Sequence, residues 1–328
     1  MKRSILFLTL LLLVQVSLAL GLYLDDQGMA TSDTDQKLLG FTTAQVEGLE
    51  FSGPESEHLV LQKTADGWIL PEHFSAPADA DKITQLLATL EGMNRPWPVA
   101  KTTDAGKRFK VDEQNFERKL VFRGKNGDLA TLLLGSSPGF RKVHSRLSGE
   151  DEIYDIPFST YQASCKAQDW IDHTVLQIKP EEIKAISFND FKLTRQHGSL
   201  QLDQLADNQQ TNTDQAQKLL GDFARLTIQD IDAKADQPLP GPVDLQVQLT
   251  LKDGSTRDYI FTKGDVKDNK IADELLKVTG SPFLYKVNSG LVEELKSFNR
   301  EQLVQTKTAA EPAEQNAGTS ATQHPQRG

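Results

Sequence analysis

The sequence predicts an α+β protein: two tandem copies of a mixed hairpin-and-helix unit behind a single N-terminal transmembrane helix. Three observations lead there. An apolar run opens the chain directly after two cations, and two helical stripes of identical spacing recur 133 positions apart. Glycine-marked hairpin signals also flank each of those helices in the same order. At 328 residues the chain is long enough to build two cores of ordinary size.

Lys2 and Arg3 precede the apolar stretch Ile5 to Leu24, which is interrupted by Thr9, Gln15 and Ser17. About 20 residues at 1.5 Å rise span roughly 30 Å, the thickness of a bilayer's hydrocarbon core. Cations before the run, and Asp25-Asp26 after it, place the N-terminus in the cytoplasm and the rest of the chain outside. The competing reading is a cleaved signal peptide ending at Ser17-Leu18-Ala19, but the run continues through Leu20, Leu22 and Leu24. Residues 1–24 are therefore expected as a membrane anchor or signal peptide, with membrane contact through residues 5–24. Residues 25–48 are expected as a polar tether.

The first copy, residues 49–176, opens with a hairpin: His58–Lys63 turns at Asp66-Gly67 into Trp68-Ile69-Leu70. A helix follows, capped by Asp79 or Asp81, with Ile83, Leu86, Leu87 and Leu90 on one face. A second hairpin, Lys119–Arg123 with Leu129–Leu134, turns at Asn126-Gly127. A strand Glu152–Ile156 and a helix from Ser159 to Trp170-Ile171 complete the unit.

The second copy, residues 177–305, repeats this order. Phe191–Arg195 turns at His197-Gly198 into Ser199–Leu202. A helix capped by Thr213 or Asp214 carries Ala216, Leu219, Leu220 and Phe223. Asp244–Leu251 turns at Asp253-Gly254 into Arg257–Thr262; Phe283–Val287 follows, then a helix from Ser289 to Phe298-Asn299. Asn-Gly and Asp-Gly favour the positive φ angles of a type I′ turn, so both second hairpins are expected to turn that way. Ala206–Gln215 and Ala233–Pro242 are expected as loops, and 306–328, without periodicity, as a disordered tail.

Composition narrows the function classes. Forty-six acidic against 36 basic residues give a net charge of −10, and Lys2 and Arg3 leave −12 on everything after the apolar run. Such a chain lacks the basic footprint that nucleic acid requires. Cys165 is the one cysteine, which excludes an internal disulfide framework and a cysteine-based zinc site. The six histidines show no metal-ligand spacing, and no Walker or dinucleotide-binding glycine pattern occurs. Gly135-Ser136-Ser137-Pro138-Gly139, with serine at its second and third positions, is the nearest approach to a nucleophile elbow but leads into a strand and not a helix, so it is expected as a turn. No enzyme activity, cofactor or metal is expected.

The basic stretch Phe140–Arg146 stands out in this acidic chain. As a strand it would place Lys142, His144 and Arg146 on one face, with Arg141 beside them, next to the backbone N–H groups of a Gly- and Ser-rich turn. Arg141, Lys142, His144 and Arg146 are thus the candidate anion or partner surface. The corresponding stretch of the second copy, Asp265–Ile271, is mixed in charge. Of the tryptophans, Trp68 and Trp170 fall at core positions of the unit and Trp97, between Pro96 and Pro98, is expected to be exposed.

The chain resembles the domain of unknown function 4340 family. The likeness lies in the N-terminal apolar run, Gly67-Trp68-Ile69-Leu70, Ala78-Asp79-Ala80-Asp81-Lys82-Ile83, Phe116-Glu117-Arg118-Lys119-Leu120, Leu134 through His144, and Asp169-Trp170-Ile171-Asp172. It is close over roughly residues 1–176 and looser over the second copy. The resemblance implies a single-pass protein of a bacterial inner membrane, its body in the periplasm, found beside ABC-type exporters of the gliding-motility kind. It assigns no reaction, ligand or site residue. The expected function is a non-enzymatic accessory or scaffold protein of an ABC-type transporter, the alternative a module that binds an anionic glycan or lipid headgroup.

Overall fold

A computed structural model describes residues 36–264 and 274–307, together with 12 and 15–17. Nearly all of the expected anchor, residues 25–35 of the tether, the stretch Asp265–Ile271 and nearly all of the expected tail lie outside the described residues. Among the described residues no helix is long and apolar enough to cross a membrane. The fold is mixed α+β, with mostly antiparallel sheets and few helices. The described residues divide into two compact units, one of those up to 175 together with 227–234, the other of 176–226 with those from 235 on.

In the first unit, nine strands form one sheet. They are β1 (Gly48–Ser52), β2 (His58–Thr64), β3 (Gly67–Leu70), β4 (Ala76–Pro77), β5 (Pro98–Ala100), β8 (Arg118–Gly124), β9 (Gly127–Leu134), β10 (Val143–Leu147) and β11 (Ile153–Ile156). Their spatial order is β4-β3-β2-β1-β8-β9-β10-β11-β5. Alternation along β1 sends Leu49 and Phe51 to one face, both fully buried. Register aligns Leu49 with Leu61 and Phe122, and Phe51 with Leu59 and Leu120. Leu120 is opposite Leu132 in turn, so an apolar ladder crosses four strands.

Helix α1 (Ala80–Gly92) buries Ile83, Leu86, Leu87 and Leu90, the stripe read from the sequence, and Asp79 caps it by accepting from the Lys82 N–H at 2.9 Å. Trp68 and Trp170 are buried and Trp97 is half exposed, as their positions predict. Both edges of this sheet are short and contain proline: Pro77 in β4, Pro98 in β5. The outer side of β4 is covered by 170–172, through the Asp79 N–H to Trp170 O and the Asp172 N–H to Pro77 O. A small insert, α2 (Thr103–Arg108) with the two-residue strands β6 (Val111–Asp112) and β7 (Asn115–Phe116), packs Ala105 and Val111 against Leu133 and Ile153. The segment 36–46, within the expected tether, is held to this unit: Leu38, Leu39 and Val46 are buried, and the Leu38 N–H donates to Met93 O.

The second unit is built from β12 (Ile183–Ser187), β13 (Lys192–Gln196), β14 (Ser199–Leu202), β17 (Val243–Leu251), β18 (Thr256–Lys263), β19 (Glu274–Val278) and β20 (Phe283–Val287). They lie in the order β14-β13-β12-β17-β18-β19-β20. The intervening β16 (Asp230–Lys234) belongs to the first unit, where Asp230 meets His73 at 2.9 Å and Gln168 at 2.6 Å. Helix α3 (Thr213–Ala224) buries Ala216, Leu219, Leu220 and Phe223 as expected. Helices α4 (Ser289–Ser297) and α5 (Arg300–Leu303) close the unit.

Several expectations need correction. The caps of α3 and α4 are Asn212 and Asn288, each one residue before the position read from sequence; the Asn212 side chain accepts from the Gln215 N–H. Residues 159–171 form two short 3₁₀ turns, not a helix. Ser164 is the cause: its hydroxyl accepts from the Lys166 N–H and its carbonyl from the Trp170 indole, replacing helical hydrogen bonds with local ones. The expected loop 206–215 contains β15 (Gln209–Thr211), which pairs with β21 (Val304–Thr306), so chain order extends to the start of the expected tail. At the second hairpins only the glycines, Gly127 and Gly254, take positive φ; Asn126 and Asp253 do not. That fits a type I turn closed by a glycine at positive φ, and of the glycine-marked hairpins it is His197-Gly198 that takes positive φ at both residues.

The cap assignment is open to test. Asn212→Ala should lower stability by about 1 kcal/mol in urea denaturation, whereas Asp214→Ala should change it by less than about 0.5 kcal/mol. Equal losses would contradict the assignment.

Candidate functional site

The basic stretch of the first unit divides into two environments. Lys142 precedes β10 in a tight turn, its N–H donating to Gly139 O at 3.2 Å. Arg141 adopts φ 54° and its guanidinium stands 5.0 Å from the centre of the Phe140 ring; Arg141 and Lys142 are both exposed. His144 and Arg146 are different. His144 is buried, with Nδ1 2.6 Å from Asp155 Oδ1 and its ring stacked on Phe109 at 4.1 Å. Arg146 donates through Nε to Val111 O at 2.5 Å and through Nη1 to Glu150 O at 3.3 Å.

The expected single cationic face therefore does not form. Strand β10 lies between β9 and β11, and the insert 103–116 covers the face that His144 and Arg146 share. A strand with both faces covered defeats the inference that alternate residues meet solvent. His144 and Arg146 hold the insert in place, and Arg141 and Lys142 remain as surface cations.

Those two cations border a groove of about 900 Å³ whose lining includes Glu117, Ser137, Phe140, Phe158, Thr160 and Tyr161. Phe140 is 87% exposed and Tyr161 91%, the most exposed large apolar side chains among the described residues. Phe140 opens the basic stretch that stands out in the sequence, whereas no pattern marks Tyr161, which lies in the 3₁₀ turn at Thr160–Ala163 where a longer helix is expected. The groove floor depends on Gly135. A Cβ there would lie 2.0 Å from Phe109 O and 2.6 Å from Lys110 O, so the backbones touch where any side chain would intrude.

The Ser136 hydroxyl donates to Phe109 O, and that of Ser137 lies 2.7 Å from Gly139 O and 2.8 Å from Lys142 O. Both hydroxyls are thus committed to backbone acceptors. Burial pushes the Cys165 thiol above its ordinary range, and the adjacent Arg118 guanidinium opposes that shift.

A family model described as "Domain of unknown function (DUF4340)" matches residues 68–244, more than half of the chain. The chain belongs to this family. The DUF4340 match begins in β3, takes in the groove, α1 and α3, and ends at the start of β17. The quoted motifs from Trp68 to Asp172 fall inside it, and the N-terminal apolar run falls outside it. No curated protein and no solved structure matches the chain.

The two environments should separate on mutation. His144→Ala, which strips Asp155 of its partner and Phe109 of its stacking, should cost about 1–3 kcal/mol. Lys142→Ala should stay within about 0.5 kcal/mol of the parent. Equilibrium urea denaturation reads both, and a silent His144→Ala would contradict the structural role. Gly135→Ala should cost about 3 kcal/mol or more, because the two carbonyls that the methyl meets are backbone. A melting temperature unchanged by that substitution would show the contact to be looser than described.

Proposed function

We propose that this DUF4340 member is a non-enzymatic, membrane-anchored envelope protein that serves as an accessory or scaffold to an ABC-type transporter. The groove beside Phe140 and Tyr161 is its docking face. The observation that carries the reading is the pairing of two almost fully exposed aromatic rings with Arg141 and Lys142. Solvated aromatic surface is costly to maintain, and aromatic residues with Arg are the side chains enriched where proteins meet. In a chain of net charge −10, a local cationic rim favours an acidic partner surface and disfavours self-association.

The remaining parts of the proposal rest on the sequence. Lys2, Arg3 and the run Ile5–Leu24 support a single pass through a bacterial inner membrane, with the body in the periplasm. The family likeness supports the transporter as partner. The two units are read as tandem copies: α1 and α3 carry the same buried stripe, and each is preceded by a hairpin and followed by a longer one. A second reading, in which the groove holds an anionic lipid headgroup or glycan, is favoured by the same Arg141 and Lys142 beside Phe140.

Co-purification of the full chain from detergent, with the transporter permease as bait, tests the reading. The double variant Arg141→Glu, Lys142→Glu should retain at least tenfold less permease, with an unchanged melting temperature. Absence of co-purification, together with normal transport in a deletion strain, would overturn it. If permease is not retained, but vesicles rich in anionic lipid are retained by the parent and not by the double variant, the headgroup reading replaces it.

A further inference from the structure

The second unit contains a cluster that docking does not use. Asp244 lies near the start of β17, Glu274 opens β19, and Glu293 is in α4. Register explains how they meet. Val243 pairs with Thr262, Lys263 with Glu274, and Glu274 with Val287, so these positions form a row across one end of the sheet. Helix α4 starts two residues after Val287 and brings Glu293 over the same end. One carboxylate oxygen from each of Asp244, Glu274 and Glu293 lies within 4.8 Å of the others.

Three carboxylates alone would be ordinary surface charge. Glu274 is not ordinary: it is 4% exposed, and its Oε2 has no hydrogen-bond partner among the described residues. A buried, unpartnered carboxylate oxygen beside two further carboxylates is an unfavourable arrangement unless a cation is shared among them. Two cations of the chain stand near: Lys263, opposite Glu274 in register, and Lys296, with Nζ 3.0 Å from Asp244 Oδ2 and 3.2 Å from Glu293 Oε1. The Lys296 ammonium thus pairs with the two outer carboxylates, while the inner Oε2 keeps no hydrogen-bond partner among the described residues.

We propose that Asp244, Glu274 and Glu293 form a binding site for a hard divalent cation, Ca²⁺ in preference to Mg²⁺, which enters by displacing the Lys296 ammonium. All three donors are carboxylate oxygens, the set that hard cations take and soft metals do not. Oxygen ligands around Ca²⁺ sit at about 2.3–2.6 Å, so two of them can stand up to roughly 5 Å apart across the ion. Mg²⁺ demands a tighter octahedron at about 2.0–2.1 Å. Glu274 is fixed by the sheet, while Asp244, Glu293 and Lys296 are accessible enough to rearrange around an incoming ion. The inference is independent of the docking groove, which lies in the other unit.

Calorimetric titration of the full chain in detergent, stripped with EDTA, tests this with CaCl₂, with MgCl₂, and with NaCl at matched ionic strength. The parent should bind one Ca²⁺ and melt at a higher temperature in its presence, with a smaller response to Mg²⁺ and none to Na⁺. Glu274→Gln, which keeps shape and removes the inner charge, should weaken Ca²⁺ binding at least tenfold. Lys296→Met should tighten it severalfold, and any melting temperature that this variant loses in EDTA should return with Ca²⁺. No response of the parent to Ca²⁺, or an undiminished response in Glu274→Gln, overturns the site. Should Glu274→Gln fail to fold, Lys296→Met decides: a loss of stability that Ca²⁺ does not restore makes the cluster an ion-pair network and overturns the proposal.

Discussion

Everything in the first unit hangs on β1 being central in an antiparallel sheet. It is five residues long, and Leu49 and Phe51 supply its entire buried face. Because side chains alternate along a strand, a register slip of one residue would turn both to the opposite face together with the ladder they anchor. Leu61, Phe122, Leu59, Leu120 and Leu132 are each placed by pairing, directly or through one neighbour, to those two side chains. Trp170 then rests 5.3 Å from the Phe51 ring, which ties the C-terminal part of the unit to the same ladder. The groove is downstream of this arrangement, since Gly135 follows directly from the last residue of β9.

What could be read from sequence follows the range of the forces involved. The stripes of α1 and α3 were legible because a helix face is a local property, fixed by spacings of three and four residues. Hairpin positions were legible for the same reason, yet their turn type was not. Gly127 and Gly254 take the left-handed position after the turn, and the Asn or Asp before each behaves as an ordinary turn residue. The failed helix at 159–171 is also local, but it needed attention to Ser164, whose two polar groups compete with a helical ladder. His144 and Arg146 could not be placed from sequence. Their burial comes from residues 109–111, more than thirty positions away, folding across the strand.

The two chemically active places differ in what they ask of the chain. Around Phe140 and Tyr161 the polar groups are internally satisfied, and what remains is apolar surface with a cationic border. Around Glu274 the neighbours are themselves charged, and what remains is a buried carboxylate oxygen without a hydrogen-bond partner among the described residues. Burial raises the pKa of the Glu274 carboxyl, with the charge of Asp244 the next cause, and Lys263 and Lys296 oppose the shift. The first place is thus proposed to meet a macromolecular surface and the second an ion.

Both margins of the first unit's sheet bear on how a partner can approach. A neighbouring protein often joins a sheet by laying an extended segment against an open edge, exchanging main-chain hydrogen bonds with little regard for side chains. Here β4 and β5 are two and three residues long, each contains a proline that cannot donate, and β4 is already occupied along its outer side by residues 170–172. Main-chain annexation is thus blocked at β4 and disfavoured at the short, proline-bearing β5. Recognition of this unit then falls to its side chains, which makes it selective for shape and charge.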